Sequence, residues 1–81
     1  MNNKSEPTLR LQIKTQHIEL YKILKIEGLV SSGAIAKNEI SSGLVKVNGL
    51  TEIRKRKKIL AGDIVEYLGE KISVYWSVWF E

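Results

Sequence analysis

Hydrophobic and polar positions alternate strictly in the first patterned stretch of this chain. In TLRLQI, Leu9, Leu11 and Ile13 fall on one side and Arg10, Gln12 and Lys14 on the other, the period of a half-buried strand. The period then lengthens. In QHIELYKILKIEG, Ile18, Tyr21 and Leu24 recur every three residues, and Ile23 and Leu24 follow Leu20 by three and four. That predicts an apolar helical stripe, with Glu19, Lys22 and Lys25 turned to water. Gly28 suits the left-handed residue that closes such a helix.

LVSSGAIAKNEISSG predicts a second helix. Ser31 or Ser32 can cap its start by accepting a free backbone N–H. Ala36 and Ile40 share a face, Ile35 lies nearby, and Gly43 ends the helix. Two helices joined by so short a loop pack as a hairpin.

The period next shortens to two. LVKVNGLTEI reads as a β-hairpin with Asn48-Gly49 at its turn. A two-residue turn would pair Val47 with Leu50 and set Glu52 opposite Val45. A three-residue turn, Asn48-Gly49-Leu50, would pair Val47 with Thr51, Val45 with Ile53, and Lys46 with Glu52. The second register is preferred because it keeps the apolar residues together. DIVEYL is a further strand after an AGD turn. Gly69-Glu70 forms the next turn, and KISVYWSVWF is a last strand, apolar on nearly both faces. Residues 1–7 are polar, end in the only proline, and read as a loose arm before a single domain over 8–81.

Composition narrows the function classes. At 81 residues, 43% hydrophobic and 27% charged, the chain suits one compact domain and not two. It has no cysteine, hence no disulfide framework and no thiolate metal site. No apolar run reaches the roughly 18 residues a membrane span needs, and MNNKSEPT lacks the apolar stretch of a secretion signal. A soluble cytoplasmic protein with no membrane partner is the simplest reading. His17 is the only histidine; it stands apart from clustered carboxylates and reads as a surface or capping residue, not a metal ligand. The glycines are scattered at element ends rather than gathered in a phosphate-cradling loop. Ser31, Ser32, Ser41 and Ser42 have no base nearby in sequence and read as helix-end groups. No enzyme activity, no cofactor, no metal and no small-molecule substrate are expected.

Charge distribution says more than the net charge of +4. Between Leu44 and Lys58 lie six cations, Lys46, Arg54, Lys55, Arg56, Lys57 and Lys58, against the single anion Glu52. The remainder of the chain is close to neutral. If the strand continues past Ile53, Arg54 and Arg56 point the same way as Lys46 and form a basic stripe. Arginine mixed with lysine suits phosphate, because a guanidinium fork grips it bidentately. The first turn of the second helix, around Ser32, Gly33 and Ala34, presents free N–H groups that complement an anion. Lys37 and Ser41 follow along one face, so this helix forms a second wall to a basic groove.

These residues resemble a known family. LYKILKIEGLVSSGAIAKNEISSGLVKVNGLTEIRKRKKILAGDIVEY, a core of about residues 17–68, is similar to the RNA-binding domain named after ribosomal protein S-four, the alpha-L motif. KILKIEGLVSSGAIAK and GLVKVNGLTEIRKRKK are similar to its short stand-alone bacterial members. The resemblance implies an α+β fold, a two-helix hairpin packed on a small, mainly antiparallel sheet. It implies non-catalytic binding of structured RNA, commonly ribosomal RNA, by a monomer. Carried over by position, the RNA-binding residues are Ser32, Gly33, Lys37, Asn38, Ser41, Lys46, Asn48, Arg54, Lys55, Arg56, Lys57 and Lys58. Ala34 stands where a second glycine is common. The tail VYWSVWFE runs past the family core; Tyr75, Trp76, Trp79 and Phe80 either stack on bases or finish a core and cover a sheet edge. The alternative function is a protein-interaction module that docks an acidic partner through the basic face or dimerises through this tail.

Overall fold

A computed structural model describes residues 8–76, with the side chain of Thr8 excluded. Strand β1 (Thr8–Ile13) leads to a two-residue strand β2 (Ile18–Glu19), then to helices α1 (Leu20–Ile26) and α2 (Gly33–Ser41). Strands β3 (Val45–Val47), β4 (Leu50–Thr51), β5 (Lys58–Ile59), β6 (Ile64–Tyr67) and β7 (Glu70–Trp76) follow. Five strands form one sheet in the order β1-β7-β6-β3-β4, and β2 pairs with β5 in a separate ribbon. All pairings are antiparallel except β1 with β7, which run parallel with Leu11 beside Val74.

Alternation along the strands decides what the sheet buries. Leu11, Ile13, Val45, Val47, Val65, Tyr67, Ile72 and Val74 point into one core with Leu20, Ile23, Leu24, Ala36, Ile40 and Ile59. Among the described residues, none of the buried ones is charged or polar in class, as expected where nothing compensates a buried charge. The other face of the sheet carries Arg10, Gln12, Lys46 and Ser73, of which the first three are exposed among the described residues. Tyr67 ties α2 to the sheet: its hydroxyl donates to Glu39 Oε1 at 2.6 Å.

Helix α1 starts at Leu20, two residues later than the apolar period beginning at Ile18 suggests. Ile18 and Glu19 are extended and pair with Ile59 and Lys58. Ile18 fits a period of three and a strand equally well, so periodicity alone could not separate them. What ends the strand is a backbone cap. The N–H of Leu20 donates to Lys57 O at 2.9 Å and that of Tyr21 to Lys55 O at 3.0 Å. The loop carrying the basic run therefore satisfies the first amides of α1, a task usually left to a capping side chain; Glu19 makes no side-chain cap bond. At α2 the expected cap is present, with Ser32 Oγ accepting from Ile35 N–H at 3.1 Å. Gly28 and Gly43 close the two helices at φ 76° and 84°.

The β3–β4 register is the one the apolar pattern disfavoured. Val47 pairs with Leu50 and Lys46 with Thr51, and the N–H of Glu52 donates to Val45 O at 2.9 Å. The turn is therefore two residues, with Asn48 at φ 52° and Gly49 at φ 85°, the positive-φ pair of a type I′ hairpin. Keeping apolar residues together was the wrong criterion, because β4 is a sheet edge whose side chains are exposed among the described residues. Leu50 is 74% exposed and Ile53 60%. The β6–β7 turn likewise uses Leu68 and Gly69, at φ 47° and 86°, with Tyr67 opposite Glu70. It sits one residue before the expected Gly69-Glu70.

Of the aromatic tail, Tyr75 lies on the open face of the sheet with the Arg10 guanidinium 4.8 Å from its ring centroid. Trp76 pairs with Ile13 and is half-exposed. Trp79 and Phe80 lie outside the described residues, as does the arm over residues 1–7. Among the described residues no helix is long and apolar enough to cross a membrane.

Candidate nucleic-acid interface

The basic run does not continue β4. The strand ends at Thr51, and residues 52–57 form a loop that folds back at Lys55-Arg56, closed by Lys57 N–H donating to Arg54 O at 3.1 Å. The expected stripe of Lys46, Arg54 and Arg56 along one strand is thus absent. The physical reason is the cap described above: carbonyls of Lys55 and Lys57 turn toward the start of α1, which a straight strand could not achieve. Lys46 stays on the open face of the sheet, between Thr51 and Glu66.

Docking the loop on α1 creates a different cluster. Tyr21, the second residue of α1, is half-buried, and three cations from three elements approach its ring. Lys37 Nζ from α2 lies 4.6 Å from the ring centroid, Arg56 Cζ from the loop 5.3 Å, and Lys22 Nζ from α1 5.9 Å. Each such contact contributes about 0.5–1 kcal/mol at an exposed site, through attraction to the negative face of the ring. Gly33, the first residue of α2, sits at the ring edge; a Cβ there would be 3.5 Å from Tyr21 Cε2. That is ordinary contact, so the local fold does not demand glycine at this position.

Acidic partners are few. Glu19 Oε1 takes Arg56 at 3.4 Å and Lys22 at 3.9 Å. Arg54 turns to Glu52 with two parallel bonds, Nε to Oε2 at 2.9 Å and Nη2 to Oε1 at 3.0 Å, and its own N–H donates to Oε2 at 2.9 Å. These hydrogen bonds, the side-chain ones foremost, hold the Glu52 carboxyl at about 2 against the opposing effect of burial. The same pairing raises the Arg54 guanidinium further above its already high value. Among the described residues, Lys25, Lys37, Lys55, Lys57 and Lys58 have no carboxylate within ion-pair distance. A surface concavity is lined by Arg54, Arg56, Lys57 and Lys58. Another is lined by Tyr21, Lys22, Lys25, Ile26 and Gly33, and the Arg56–Tyr21 contact joins the two.

The expected site residues therefore divide. Gly33, Lys37, Arg54, Arg56, Lys57 and Lys58 face this surface, with Ser32 capping the helix beside it. Lys55 is exposed at the loop tip. Ser41 donates its hydroxyl to Lys37 O at 3.0 Å, so it is turned onto its own helix. Asn38 lies one turn after the start of α2, and its carbonyl accepts from Ser42 Oγ at 2.8 Å. The carboxamide of Asn48 is engaged at both ends, donating from Nδ2 to Asp63 Oδ1 and accepting from Ile64 N–H, each at 2.9 Å. It holds the turn. The residues that sequence reasoning missed are Tyr21, Lys22 and Lys25. Tyr21 was assigned to the apolar stripe; the available signal was a ring with a polar tip flanked by lysines, which favours a half-exposed place. Among the described residues, no group of three or more His, Cys, Asp or Glu is placed to hold a metal.

A two-helix hairpin on a mixed sheet, with a cationic loop docked against the helices, defines a class of small nucleic-acid-binding domains. The chain belongs to the S4 domain family: the family model matches residues 11–75, wider than the core over 17–68. It is similar to YbcJ of Escherichia coli strain K12, at 49% identity over 61 residues, 75% of this chain and 87% of that protein. It is also similar to the "Probable ribosome maturation protein RlbA" of Bacillus subtilis strain 168, at 36% identity over 73% of this chain and 83% of that one. Among solved structures, the solution structure of E. coli YbcJ, described as revealing an alpha-L motif involved in RNA binding, superposes with a TM-score of 0.69. The identity there is 41%, over 93% of this chain and 96% of that one. The 30S ribosomal protein S4e of Thermoplasma acidophilum matches with a TM-score of 0.55 and 27% identity, over 72% of this chain and 31% of that protein.

Proposed function

We propose that this protein binds structured RNA, ribosomal RNA in particular, without catalysing a reaction on it. The surface used is the one formed by the first turn of α1, the start of α2 and the loop between β4 and β5. The observation that carries this reading is the convergence of Lys22, Lys37 and Arg56 on Tyr21 beside the concavity of Arg54, Arg56, Lys57 and Lys58. Cations concentrated on one surface with few acidic partners attract a polyanion. The relatives support the same reading: the YbcJ motif is described as involved in RNA binding. The name of RlbA points to ribosome maturation, and S4e is a ribosomal protein. What favours binding over chemistry is the kind of group presented, namely ammonium and guanidinium donors that grip phosphate and leave it intact. The working unit is a cytoplasmic monomer.

The binding energy comes chiefly from phosphate neutralisation, and base edges in loops add selectivity. Binding should therefore fall steeply with salt, the logarithm of the affinity declining by about 0.7–0.9 per neutralised phosphate for each unit in the logarithm of salt concentration. The test is a fluorescence-anisotropy titration of the purified protein against ribosomal RNA fragments across a salt series. Sedimentation with ribosomal subunits at low and high salt accompanies it. A flat salt dependence, or no association with ribosomal RNA, rejects the reading.

A further inference from the structure

We infer that Tyr21 is the positioning residue of a phosphodiester clamp, holding Lys37 and Arg56 together as a single receptor for one backbone phosphate. The inference rests on the RNA-binding reading and adds what part of the RNA this site takes and which residue assembles it. Lys37 and Arg56 come from different elements and carry the same charge, so on their own they repel. Lys37 has no carboxylate within ion-pair distance among the described residues, and Arg56 has only the shared Glu19 at 3.4 Å. What the two have in common is the Tyr21 ring, at 4.6 Å and 5.3 Å from their cationic centres.

The residue that carries the ring is anchored through its backbone. Its backbone N–H is bonded to Lys55 O, and the ring edge lies against Gly33. Attraction to the ring face lowers the repulsion that assembly must overcome, so the cations are in place before an anion arrives. A ring face that already holds an ammonium or guanidinium group is a poor platform for a base. The ligand at this point is therefore phosphate and not a stacked nucleobase.

Three variants and two readouts test this. Tyr21→Phe keeps the ring, Tyr21→Leu keeps apolar bulk without a ring, and Lys37→Met removes one cation while keeping its stem. In the free protein, ring currents should shift the terminal methylene protons of Lys37 and Arg56 upfield in the wild type and in Tyr21→Phe, and the shifts should vanish in Tyr21→Leu. Against a labelled RNA stem-loop, Tyr21→Phe should bind like the wild type. Tyr21→Leu should bind about fivefold to tenfold more weakly, with a shallower salt slope, and should lose little more when combined with Lys37→Met. Should Tyr21→Leu lose its circular dichroism, Tyr21→Met takes its place. Unshifted methylenes in the wild type overturn the inference. So do losses for Tyr21→Leu and Lys37→Met that simply add, or a Tyr21→Phe as weak as Tyr21→Leu, since each marks a direct contact of ring or hydroxyl with RNA. Shifted methylenes in a wild type that binds no stem-loop overturn the RNA-binding reading itself.

Discussion

Asn48 Nδ2 donates to Asp63 Oδ1 at 2.9 Å across 15 positions of sequence, joining the β3–β4 turn to the turn that precedes β6. Asp63 completes the junction with its other oxygen, Oδ2, which accepts from Leu60 N–H at 2.8 Å. The basic loop, with β4 before it and β5 after it, lies between these two turns, so its base is clamped before any RNA is present. Asp63→Ala removes both bonds and leaves amide donors without partners. It should destabilise the fold by about 2 kcal/mol, read as a lowered midpoint in urea. Asn48→Gly keeps the positive φ and loses only its own side-chain bonds; it should cost about 1 kcal/mol. The two losses should not add, because they share a bond. Additive losses refute the junction.

The Glu52–Arg54 pair makes the loop acid-sensitive. The native Glu52 carboxyl lies at about 2 against an ordinary value of 4.5, so its folded value is depressed. The stability it contributes is complete above its unfolded value and is lost as pH falls toward 2. Carboxyl-carbon NMR should show Glu52 titrating near 2 in the wild type and moving toward 4.5 in Arg54→Gln. A wild-type midpoint that Arg54→Gln leaves in place contradicts the assignment.

A third prediction concerns how α2 is seated. The Tyr67 hydroxyl donates to Glu39 Oε1 at 2.6 Å, and this bond, with burial adding to it, pushes the phenol above its ordinary value of 10.0. Tyr67→Phe should lower stability by about 1–2 kcal/mol, measured by thermal or urea unfolding. Because the folded value is raised, the contribution is complete below pH 10 and disappears as pH climbs through the native phenol's titration. The stability difference between Tyr67→Phe and wild type should therefore narrow only in strong alkali.

Much of this architecture could be read from the chain because local rules and global packing agreed. Ala36 and Ile40 repeat at helical spacing and are buried, Ser32 caps where a cap was needed, and Gly28 and Gly43 close the helices. The failures are places where a residue's surroundings, not its pattern, decide. Leu50 and Ile53 look like core but lie at an uncovered edge, which misdirected the hairpin register. Ile18 obeys a helical period but is taken by β5, a pairing partner 41 positions away in Ile59. Tyr21 reads as stripe because pattern cannot show Lys37 and Arg56 folding toward it. The RKRKK run was visible as charge, but its shape was not, since that depends on backbone carbonyls reaching the amides of α1.

The geometry separates cations that the sequence grouped, and charge reversal should expose the separation. Lys37 and Arg56 share the Tyr21 ring, whereas Lys46 lies on the far face of the sheet with Glu66 as its cross-strand neighbour. Reversing a charge in contact with phosphate replaces an attraction by a repulsion. Lys37→Glu and Arg56→Glu should therefore each weaken RNA binding by about tenfold or more and flatten the salt slope by about one to two phosphates' worth. Lys46→Glu alters the net charge equally but acts only at long range, through screened solvent. Its effect should stay within about threefold at 0.15 M salt and shrink further as salt is added. All three sites are at the surface, so each variant should stay folded, with stability falling by about 1–2 kcal/mol at most, for Lys37→Glu and Arg56→Glu, through the lost contacts with Tyr21 and Glu19. Equal losses at Lys37, Arg56 and Lys46 would mean that RNA senses only total charge, and the basic surface around α1 and α2 would then have no claim to be the site.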